Sequence, residues 1–398
     1  MRIAFVAPFF GAKASGGAES ECRQTALRLA RQTGIEIEVL TTCLLDLAHG
    51  TTLNTYSPGV SRDGDLLVRR FRADVFDPGP FAVLNQRLIN KETLAPDEER
   101  HFMARHVNSF ELYRYLAAHT DRYDWFCFIP YLFGTTCYGT QICPEKSIVI
   151  PCLHDEGYAR MQLIRDMFAR VARIAFHTPA EIKLAERLYG EARDDGQRLL
   201  IGEGVDVHFE SNPDRFRKQS GINAPFLLYA GRKDSTKNVD TMIHFFASHK
   251  RLKPSDLKLV LVGPCEAAIP ADMAGEIIDL GFVEDQHKKD AYSAALALCQ
   301  PSLNESFSIV MMEAWGCGTP CLVHGGCGVT REHVERSGGG LYFETFPEFT
   351  GALDYFCANP DMCRRMGQAG KTFVNANFEW SAIIQRYIEI AFAKGLAT

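Results

Sequence analysis

The chain has 398 residues, of which 46% are hydrophobic and 23% are charged, and its formal net charge is −6 at pH 7. A single hydrophobic core stops growing beyond roughly 250–300 residues, so the length predicts two domains. The acidic balance argues against a nucleic-acid-binding protein, which usually carries a basic excess.

The hydrophobic pattern of the sequence shows neither a signal peptide nor a membrane span, and this favours a cytoplasmic location. The first apolar run is too short for a signal peptide, and no later stretch reaches the roughly 18 apolar residues of a membrane span. We therefore expect a cytoplasmic protein that at most rests on the inner face of a membrane. The 13 cysteines are then reduced, and their spacings indicate small buried residues rather than zinc ligands.

Short apolar runs alternate with amphipathic helical patterns along the whole chain, which is typical of βα units around parallel sheets. In chain order, the first series has predicted strands at 2–7, 35–42, 66–71, 125–129, 147–151 and 173–177, with helices at 18–32 and 179–189. Residues 72–122 are predicted to be irregular. The second series has predicted strands at 226–230, 257–262, 277–281, 296–300, 320–323 and 341–343. We predict an α/β protein with two Rossmann-like domains, residues 1–203 and 204–378, followed by a C-terminal segment, 379–398.

Two carboxylates mark the loop and helix that follow the strand at 296–300. Glu305 lies in the loop, and Glu313 lies about two turns into a helix predicted from about Phe307. Backbone N–H groups at such a helix start, here those of Ser306, Phe307 and Ser308, suit a diphosphate. Glu305 could accept hydrogen bonds from sugar hydroxyls, and Glu313 could bind a ribose diol. The alternative is a helix cap and a solvated helix residue.

Two cations follow the strand at 226–230. Arg232 and Lys237 lie five residues apart in a polar loop, at the carboxyl edge where parallel sheets bind ligands. An arginine can fork onto a phosphate and a lysine acts as a mobile charge, so the pair could neutralise a leaving diphosphate. Solvated loop cations are the alternative.

Together these motifs resemble the donor site of retaining GT-B glycosyltransferases of family 4 (glycosyl transferases group 1). The resemblance rests on Glu305 and Glu313 with the following Gly-Thr-Pro, on Arg232 and Lys237, and on the loop Gly16-Gly17-Ala18-Glu19. It is strong over 200–345 and thin over 45–145. It implies two domains that face each other across a donor-binding cleft, with the C-terminal helix crossing back to the N-terminal, acceptor-binding domain.

The resemblance also implies residue roles. Four residues would be catalytic. His154 would lie next to the transferred sugar, and Glu305 would contact the sugar hydroxyls. Arg232 and Lys237 would hold the diphosphate. The implied donor-binding residues are Gly16, Gly17, Val283, Ser306, Phe307, Ser308, Ile309 and Glu313. The sequence departs from the family pattern at Asn238, where glycine is usual, and at Trp315, where a small residue is usual.

Two other charged motifs receive a plainer interpretation. Asp63-Gly64-Asp65 has the Asp-x-Asp form of a metal-binding motif, but its position before a strand favours a polar turn. Arg69, Arg70 and Arg72 could touch a phosphate-bearing lipid, but a solvated strand face is the simpler interpretation. No metal is expected, because two cations near a diphosphate make one unnecessary. No cofactor is expected, because the nucleotide diphosphate sugar is a co-substrate.

The function implied is transfer of a sugar, with retention, to a hydroxyl of a glycan, glycolipid or small molecule in surface polysaccharide or lipopolysaccharide biosynthesis. The expected partners are the nucleotide sugar and a glycan or lipid-linked acceptor, with a peripheral membrane contact and no nucleic acid. Three alternatives stay open: a sugar-nucleotide 2-epimerase, a phosphorylase, and a non-catalytic nucleotide-sugar-binding domain.

Overall fold

A computed structural model of the chain describes residues 1–14, 16–47, 49–194 and 196–393. The chain divides into two compact units, Met1–Gly204 with Trp380–Thr398, and Val205–Glu379. Each unit is built on its own largely parallel sheet with helices between the strands, so the two-domain α/β prediction is confirmed. Residues 394–398 of the predicted C-terminal segment lie outside the described residues. None of the described helices combines the length and the apolarity needed to span a membrane.

The first unit contains an eight-stranded sheet in the order β3-β4-β2-β1-β5-β6-β7-β8. Its strands are β1 Arg2–Ala7, β2 Glu36–Thr42, β3 Gly59–Asp63, β4 Leu66–Phe71, β5 Trp125–Phe128, β6 Ser147–Val149, β7 Arg173–Phe176 and β8 Arg198–Leu200. Every neighbouring pair is parallel except β3 and β4. The central strand β1 is apolar on both faces because helices cover both sides of the sheet.

The helices of the first unit include three in a stretch that was predicted to be irregular. They are α1 Gly17–Thr33, α2 Pro78–Ile89, α3 Pro96–Met103, α4 Phe110–Ala118, α5 Gly134–Gly139, α6 Gln162–Arg170 and α7 Pro179–Tyr189. The prediction for residues 72–122 is therefore wrong. Asp77 and Ser109 cap α2 and α4 through their side chains. The apolar faces of α2–α4 are only two or three turns long, and they become stable because they pack into the core.

The predicted polar turn at Asp63-Gly64-Asp65 is confirmed. It joins the antiparallel strands β3 and β4, and Gly64 takes a left-handed conformation with φ of 59°. Each aspartate is held by an arginine of α1: Arg23 binds Asp63 at 2.6 Å, and Arg31 binds Asp65 at 2.6 Å. The two carboxylates therefore anchor the hairpin to the helix.

The prediction of a solvated arginine face on β4 is wrong for two of the three residues. Arg69 donates to the buried carboxylate of Glu38 at 2.9 Å, and Arg70 donates to the Phe10 carbonyl at 3.0 Å. Both side chains are partly buried because each packs over an aromatic ring, Arg69 over Tyr115 at 4.8 Å and Arg70 over Tyr56 at 4.4 Å. Arg72 alone is exposed.

The second unit contains a six-stranded, all-parallel sheet in the order β11-β10-β9-β12-β13-β14. Its strands are β9 Phe226–Ala230, β10 Lys258–Val262, β11 Ile277–Asp279, β12 Ala297–Gln300, β13 Cys321–His324 and β14 Gly340–Phe343. Its helices are α8 Pro213–Ser220, α9 Val239–Leu252, α10 Asp285–Ala294, α11 Ile309–Gly316, α12 Gly328–Ser337, α13 Phe346–Ala358 and α14 Pro360–Asn377. The strand order reverses between β9 and β12, and such a switch point is where doubly wound sheets bind ligands.

The end of the chain belongs to the first unit. Helix α15 runs over Trp380–Arg386 and continues as one turn of π-helix over Tyr387–Ala391, within the predicted C-terminal segment 379–398. The guanidinium of Arg28, on α1, lies over the Trp380 indole, with its Cζ 4.2 Å from the ring centroid. All 13 cysteines are unpaired, and nine of them are buried as predicted, whereas Cys265 and Cys357 are exposed and Cys152 and Cys317 are half-buried.

Candidate functional site

The loops after β9 and β12 bring together two of the charged residues singled out in the sequence. Lys237 follows β9 and Glu305 follows β12, and they are 68 residues apart in the chain. The Lys237 ammonium donates to Glu305 Oε1 at 2.7 Å. Both side chains are largely covered, with 24% and 11% of their surfaces exposed. A cation and a carboxylate thus lie together at the switch point of the sheet.

Gln300 completes this group and was missed by the sequence reasoning. It ends β12 and is buried, and its Nε2 lies 3.2 Å from Ser308 Oγ and 3.4 Å from Glu305 Oε1. Its Oε1 is buried without a hydrogen-bond partner among the described residues. The sequence signal that could have identified Gln300 is its position as a polar residue at the carboxyl end of an otherwise apolar strand.

The loop that carries Lys237 explains one departure from the family pattern. Asn238 follows a 3₁₀ turn, Ser235–Lys237, and has φ of 56°. Asparagine tolerates this left-handed conformation better than most residues other than glycine. Its side-chain amide also donates to the Pro301 carbonyl at 3.0 Å. Asn238 therefore ties the loop after β9 to the loop after β12, which glycine could not do.

The neighbouring cations divide into an exposed one and a buried one. The Arg232 side chain is 61% exposed and lies 3.4 Å from Asp234, so its guanidinium is accessible. Lys233, missed in the sequence, is fully buried, and its ammonium donates to the Gly263 carbonyl at 2.6 Å and to Asp279 at 2.7 Å. Lys233 thereby joins the carboxyl ends of β9, β10 and β11, which positions the Arg232 loop.

Helix α11 begins at Ile309, two residues later than predicted, and Ser308 is its N-cap with φ of 74°. Ser306 and Phe307 therefore precede the helix, and the predicted start at about Phe307 is two residues too early. The reason is that Phe307 is buried, with its ring against His333 at 5.5 Å and Phe378 at 4.9 Å. This packing pulls the chain out of helical geometry just before Ser308.

Glu313, the second predicted carboxylate, is hydrogen-bonded through both of its oxygens to side chains of α10. The Lys288 ammonium donates to Glu313 Oε1 at 3.0 Å, and the Tyr292 hydroxyl donates to Oε2 at 2.8 Å. Burial raises the pKa of Tyr292 well above its usual value, and Glu313 raises it further. For Lys288, burial would lower the pKa, but Glu313 and Asp285 outweigh it and raise the pKa. Glu313 thus faces a neutral hydroxyl and a charged ammonium.

Val283, the predicted base contact, lies in the loop before α10. It lines an open cavity of about 460 Å³ between α8 and α10, together with Arg215, Gln219 and His287. Gln219 and His287 are hydrogen-bonded to each other at 2.8 Å. The cavity has the size of a small-molecule site.

The glycine loop of the first unit is explained in part by its own backbone. Gly16 caps α1 with φ of 140°, and a side chain there would also collide with the Glu19 carboxylate. At Gly17, by contrast, an added Cβ would meet nothing within 4 Å. Gly16 is required by the local conformation, and open space lies beside Gly17.

His154 belongs to the first unit and follows β6, which ends at Val149 rather than at the predicted Pro151. Its Nδ1 lies 3.9 Å from Glu156 Oε1, and its side chain is 29% exposed. Glu156 in turn accepts a hydrogen bond from Tyr131 at 2.8 Å. The histidine is therefore accessible and has a carboxylate beside it.

A second polar group of the first unit was missed entirely: Glu21, Cys152 and His177, which are the described residues closest to a metal-binding arrangement. His177 Nε2 lies 2.6 Å from Glu21 Oε1, and Cys152 Sγ lies 3.6 Å from Glu21 Oε2. Burial would lower the pKa of His177, but Glu21 and Glu181 raise it to about 10. Two ligands of one zinc ion lie roughly 3.3 Å apart, given bonds of about 2.0–2.1 Å and tetrahedral angles. The spacing of Glu21 and His177 is therefore that of a buried ion pair.

Comparison with known proteins found similarities for the second unit and for the fold of the whole chain. Residues 212–373 match the family model described as Glycosyl transferases group 1. A curated D-inositol 3-phosphate glycosyltransferase of Nocardiopsis dassonvillei is 26% identical over 255 residues, which cover 59% of this chain and 59% of that protein. The chain spans about half to three fifths of the length of the first curated relatives it matches.

Two solved structures share the fold over nearly the whole chain. Sucrose-phosphate synthase from Thermosynechococcus elongatus has a TM-score of 0.72 at 17% identity, covering 98% of each chain. HepE from Anabaena in complex with UDP-glucose has a TM-score of 0.67 at 17% identity, again covering 98% of each chain. The protein therefore has the GT-B fold.

Proposed function

We propose that this protein is a retaining glycosyltransferase, because residues 212–373 match the Glycosyl transferases group 1 model and the chain has the GT-B fold. It takes a sugar from a nucleotide diphosphate sugar and transfers it to a hydroxyl of a glycan, glycolipid or small-molecule acceptor. The observation that carries the proposal is the meeting of Lys237 and Glu305 at 2.7 Å at the switch point of the second sheet. HepE, which shares the fold, is complexed with UDP-glucose, and this supports a nucleotide sugar as the donor.

In the proposed reaction, the bond between sugar C1 and the leaving phosphate oxygen breaks, and the acceptor oxygen bonds to C1 on the same face. The acceptor proton passes to the departing phosphate oxygen. Lys237 and Arg232 neutralise the negative charge that grows on the diphosphate, an electrostatic role that needs no bound metal. The N-terminus of α11 adds the positive end of its dipole.

Glu305 and Glu313 bind the donor by its hydroxyls. Glu305 orients the transferred sugar. The side-chain amide of Gln300 positions Glu305, with Gln300 Nε2 3.4 Å from Glu305 Oε1. Glu313 binds the ribose, backbone near Val283 contacts the base, and the open space at Gly17 admits the phosphate. His154, in the first unit, lies beside the transferred sugar. We place the reaction in the cytoplasm, in surface polysaccharide or lipopolysaccharide synthesis, on an acceptor that is a glycan or lipid-linked.

A thermal-shift panel of UDP-, GDP-, ADP- and dTDP-sugars, each with and without EDTA, tests this proposal. A ligand at 100 times its dissociation constant stabilises the native state by about 2.7 kcal/mol. Since the two units can melt separately, the midpoint shift is the quantity to compare. We expect a selective upward shift with one nucleotide sugar, unchanged by EDTA.

The donor so identified is then incubated with and without candidate acceptors, and nucleoside diphosphate release is followed. Acceptor-dependent release supports a transferase. A changed nucleotide sugar without an acceptor identifies an epimerase instead, and binding without turnover identifies a binding domain. A folded protein whose midpoint shifts with none of the nucleotide sugars contradicts the proposal.

A further inference from the structure

The contacts of Glu313 with α10 extend what can be said about the donor. Lys288 and Tyr292 lie four residues apart on α10, so both side chains project from one face of that helix. That face meets α11, where Glu313 accepts from Lys288 at 3.0 Å and from Tyr292 at 2.8 Å. The two donors bind different oxygens of the same carboxylate, so the carboxylate cannot rotate about its terminal C–C bond without breaking a hydrogen bond.

The hydrogen-bonding capacity left on Glu313 is defined by these contacts. An ionised carboxylate offers about four lone-pair sites, two on each oxygen. Lys288 and Tyr292 occupy one site on each oxygen, which leaves one site on each for an outside donor. A vicinal diol with two hydroxyl donors matches this arrangement, whereas a deoxy sugar with one hydroxyl leaves one oxygen unpaired. The Glu313 side chain is 15% exposed, so a ligand can reach it.

Both donors are held in place, Tyr292 by burial and Lys288 by a second ion pair. Tyr292 is completely buried, and its position is fixed further by the Thr319 hydroxyl, which donates to the Tyr292 carbonyl at 2.6 Å. Lys288 also contacts Asp285 at 3.3 Å, one turn earlier on α10. Lys288 cannot turn away without losing its contact with Asp285, and the Tyr292 ring is held by the core that surrounds it.

We propose that Lys288 and Tyr292 are positioning residues that orient Glu313 toward a ribose diol and so make the site selective for ribonucleotides over 2′-deoxyribonucleotides. This inference rests on the proposed function, because it assumes that Glu313 binds the nucleotide ribose. It adds a specificity for the sugar of the nucleotide and assigns that specificity to α10.

Calorimetric titration with the pairs UDP and dUDP, GDP and dGDP, and ADP and dADP tests the proposal on the full chain. The quantity compared is the ratio of dissociation constants, deoxy over ribo, for the pair that binds. In the unchanged protein we expect a ratio of about ten or more, the value of one charge-assisted hydrogen bond. Lys288→Met and Tyr292→Phe should each lower this ratio to below about three.

Two further variants complete the test. Lys289→Met is the matched control, because Lys289 adjoins Lys288 but pairs with Asp285 at 2.6 Å and does not contact Glu313; its ratio should equal that of the unchanged protein. Glu313→Gln should abolish the discrimination, which checks the ribose contact itself. A purely structural role for Lys288 would weaken ribo and deoxy nucleotides equally and leave the ratio unchanged.

The outcomes separate this inference from the function on which it rests. If Glu313→Gln loses the discrimination while Lys288→Met and Tyr292→Phe both keep it, the positioning role is wrong and the donor site stands. If Glu313→Gln keeps the discrimination, the ribose contact is wrong and the inference falls with it. If no nucleotide binds to the unchanged protein, the proposed donor site itself is contradicted. Tyr292→Phe removes one oxygen atom only, so it keeps the test valid should Lys288→Met fail to fold.

Discussion

Lys237 and Glu305 are each other's partners at 2.7 Å, although each was singled out as a contact of a different part of the donor. Their pairing keeps both charges compensated in a largely covered position. A diphosphate would compete for the ammonium and sugar hydroxyls would compete for the carboxylate, so donor binding exchanges one set of charged contacts for another. Gln300 also contacts Glu305, with its Nε2 3.4 Å from Glu305 Oε1.

Replacing Lys237 by methionine should lower kcat for sugar transfer by roughly 100–1000-fold, the usual effect of removing one group that stabilises transition-state charge. Steady-state kinetics with the donor identified by the thermal-shift panel measures this. Lys253→Met is the matched control, because Lys253 lies at the end of α9 and pairs at the surface with Asp354; its kcat should be unchanged. Near-normal transfer by Lys237→Met would show that the lysine does not act on the diphosphate.

The pairing of helices α11 and α14 shows how a single large residue is accommodated. Trp315 on α11 is completely buried, and its indole N–H donates to the Gly339 carbonyl at 2.8 Å. A Cβ on Gly370, in α14, would collide with the indole ring, and one on Gly339 would do the same. Trp315 stands where the resemblance led us to expect a small residue, and the glycines opposite it supply the space that the indole needs.

Gly370→Ala should therefore destabilise the second unit by about 1–3 kcal/mol, the usual effect of overpacking a core. Gly351→Ala is the matched control, since Gly351 lies inside α13 with nothing within 4 Å of an added Cβ. It should stabilise the protein by about 0.5–1 kcal/mol through helix propensity. Denaturant unfolding of both variants measures the difference. Equal effects at the two positions would contradict this account of α11 and α14.

The whole molecule is organised so that both ends of the chain build the first unit. The buried ion pair of Glu21 and His177 lies where these parts meet, with Glu181, Glu203 and Cys152 around it and Tyr387 from the C-terminal segment. Burial raises the pKa of Glu181 to about 7. Both His177 and Glu181 therefore hold their protons more tightly in the folded state than in the unfolded state.

Stability should consequently fall as the pH rises. The contribution of His177 is complete below its usual pKa of 6.5 and is lost as the pH approaches about 10. That of Glu181 is lost between 4.5 and about 7. We expect the thermal midpoint of the first unit to decrease between pH 7 and pH 10, and Glu21→Gln to flatten this decrease because Glu21 is the largest contributor to the raised pKa of His177.

Thermal scans at several pH values measure the effect. Glu36→Gln is the control, because Glu36 is 63% exposed and pairs with Arg2 rather than with His177; it should keep the slope of the unchanged protein. A Glu21→Gln variant with that same slope would show that His177 is not protonated in the folded state.

The local sequence by itself determined the two βα series, the positions of most strands, and the identity of the charged groups at the second sheet. These features depend on hydrophobic period and on motif spacing, both of which are properties of neighbouring residues. The short helices at 78–118 were missed because two or three turns are too few to establish a clear helical period in the sequence.

Only the tertiary structure decided which residues meet. The strand order places β9 beside β12 and so pairs Lys237 with Glu305; it also buries Lys233 while leaving Arg232 exposed. The packing of α10 on α11 brings Lys288 and Tyr292 to Glu313. Contacts of this kind join residues that are tens of positions apart, and they depend on how the elements pack together, which no local pattern encodes.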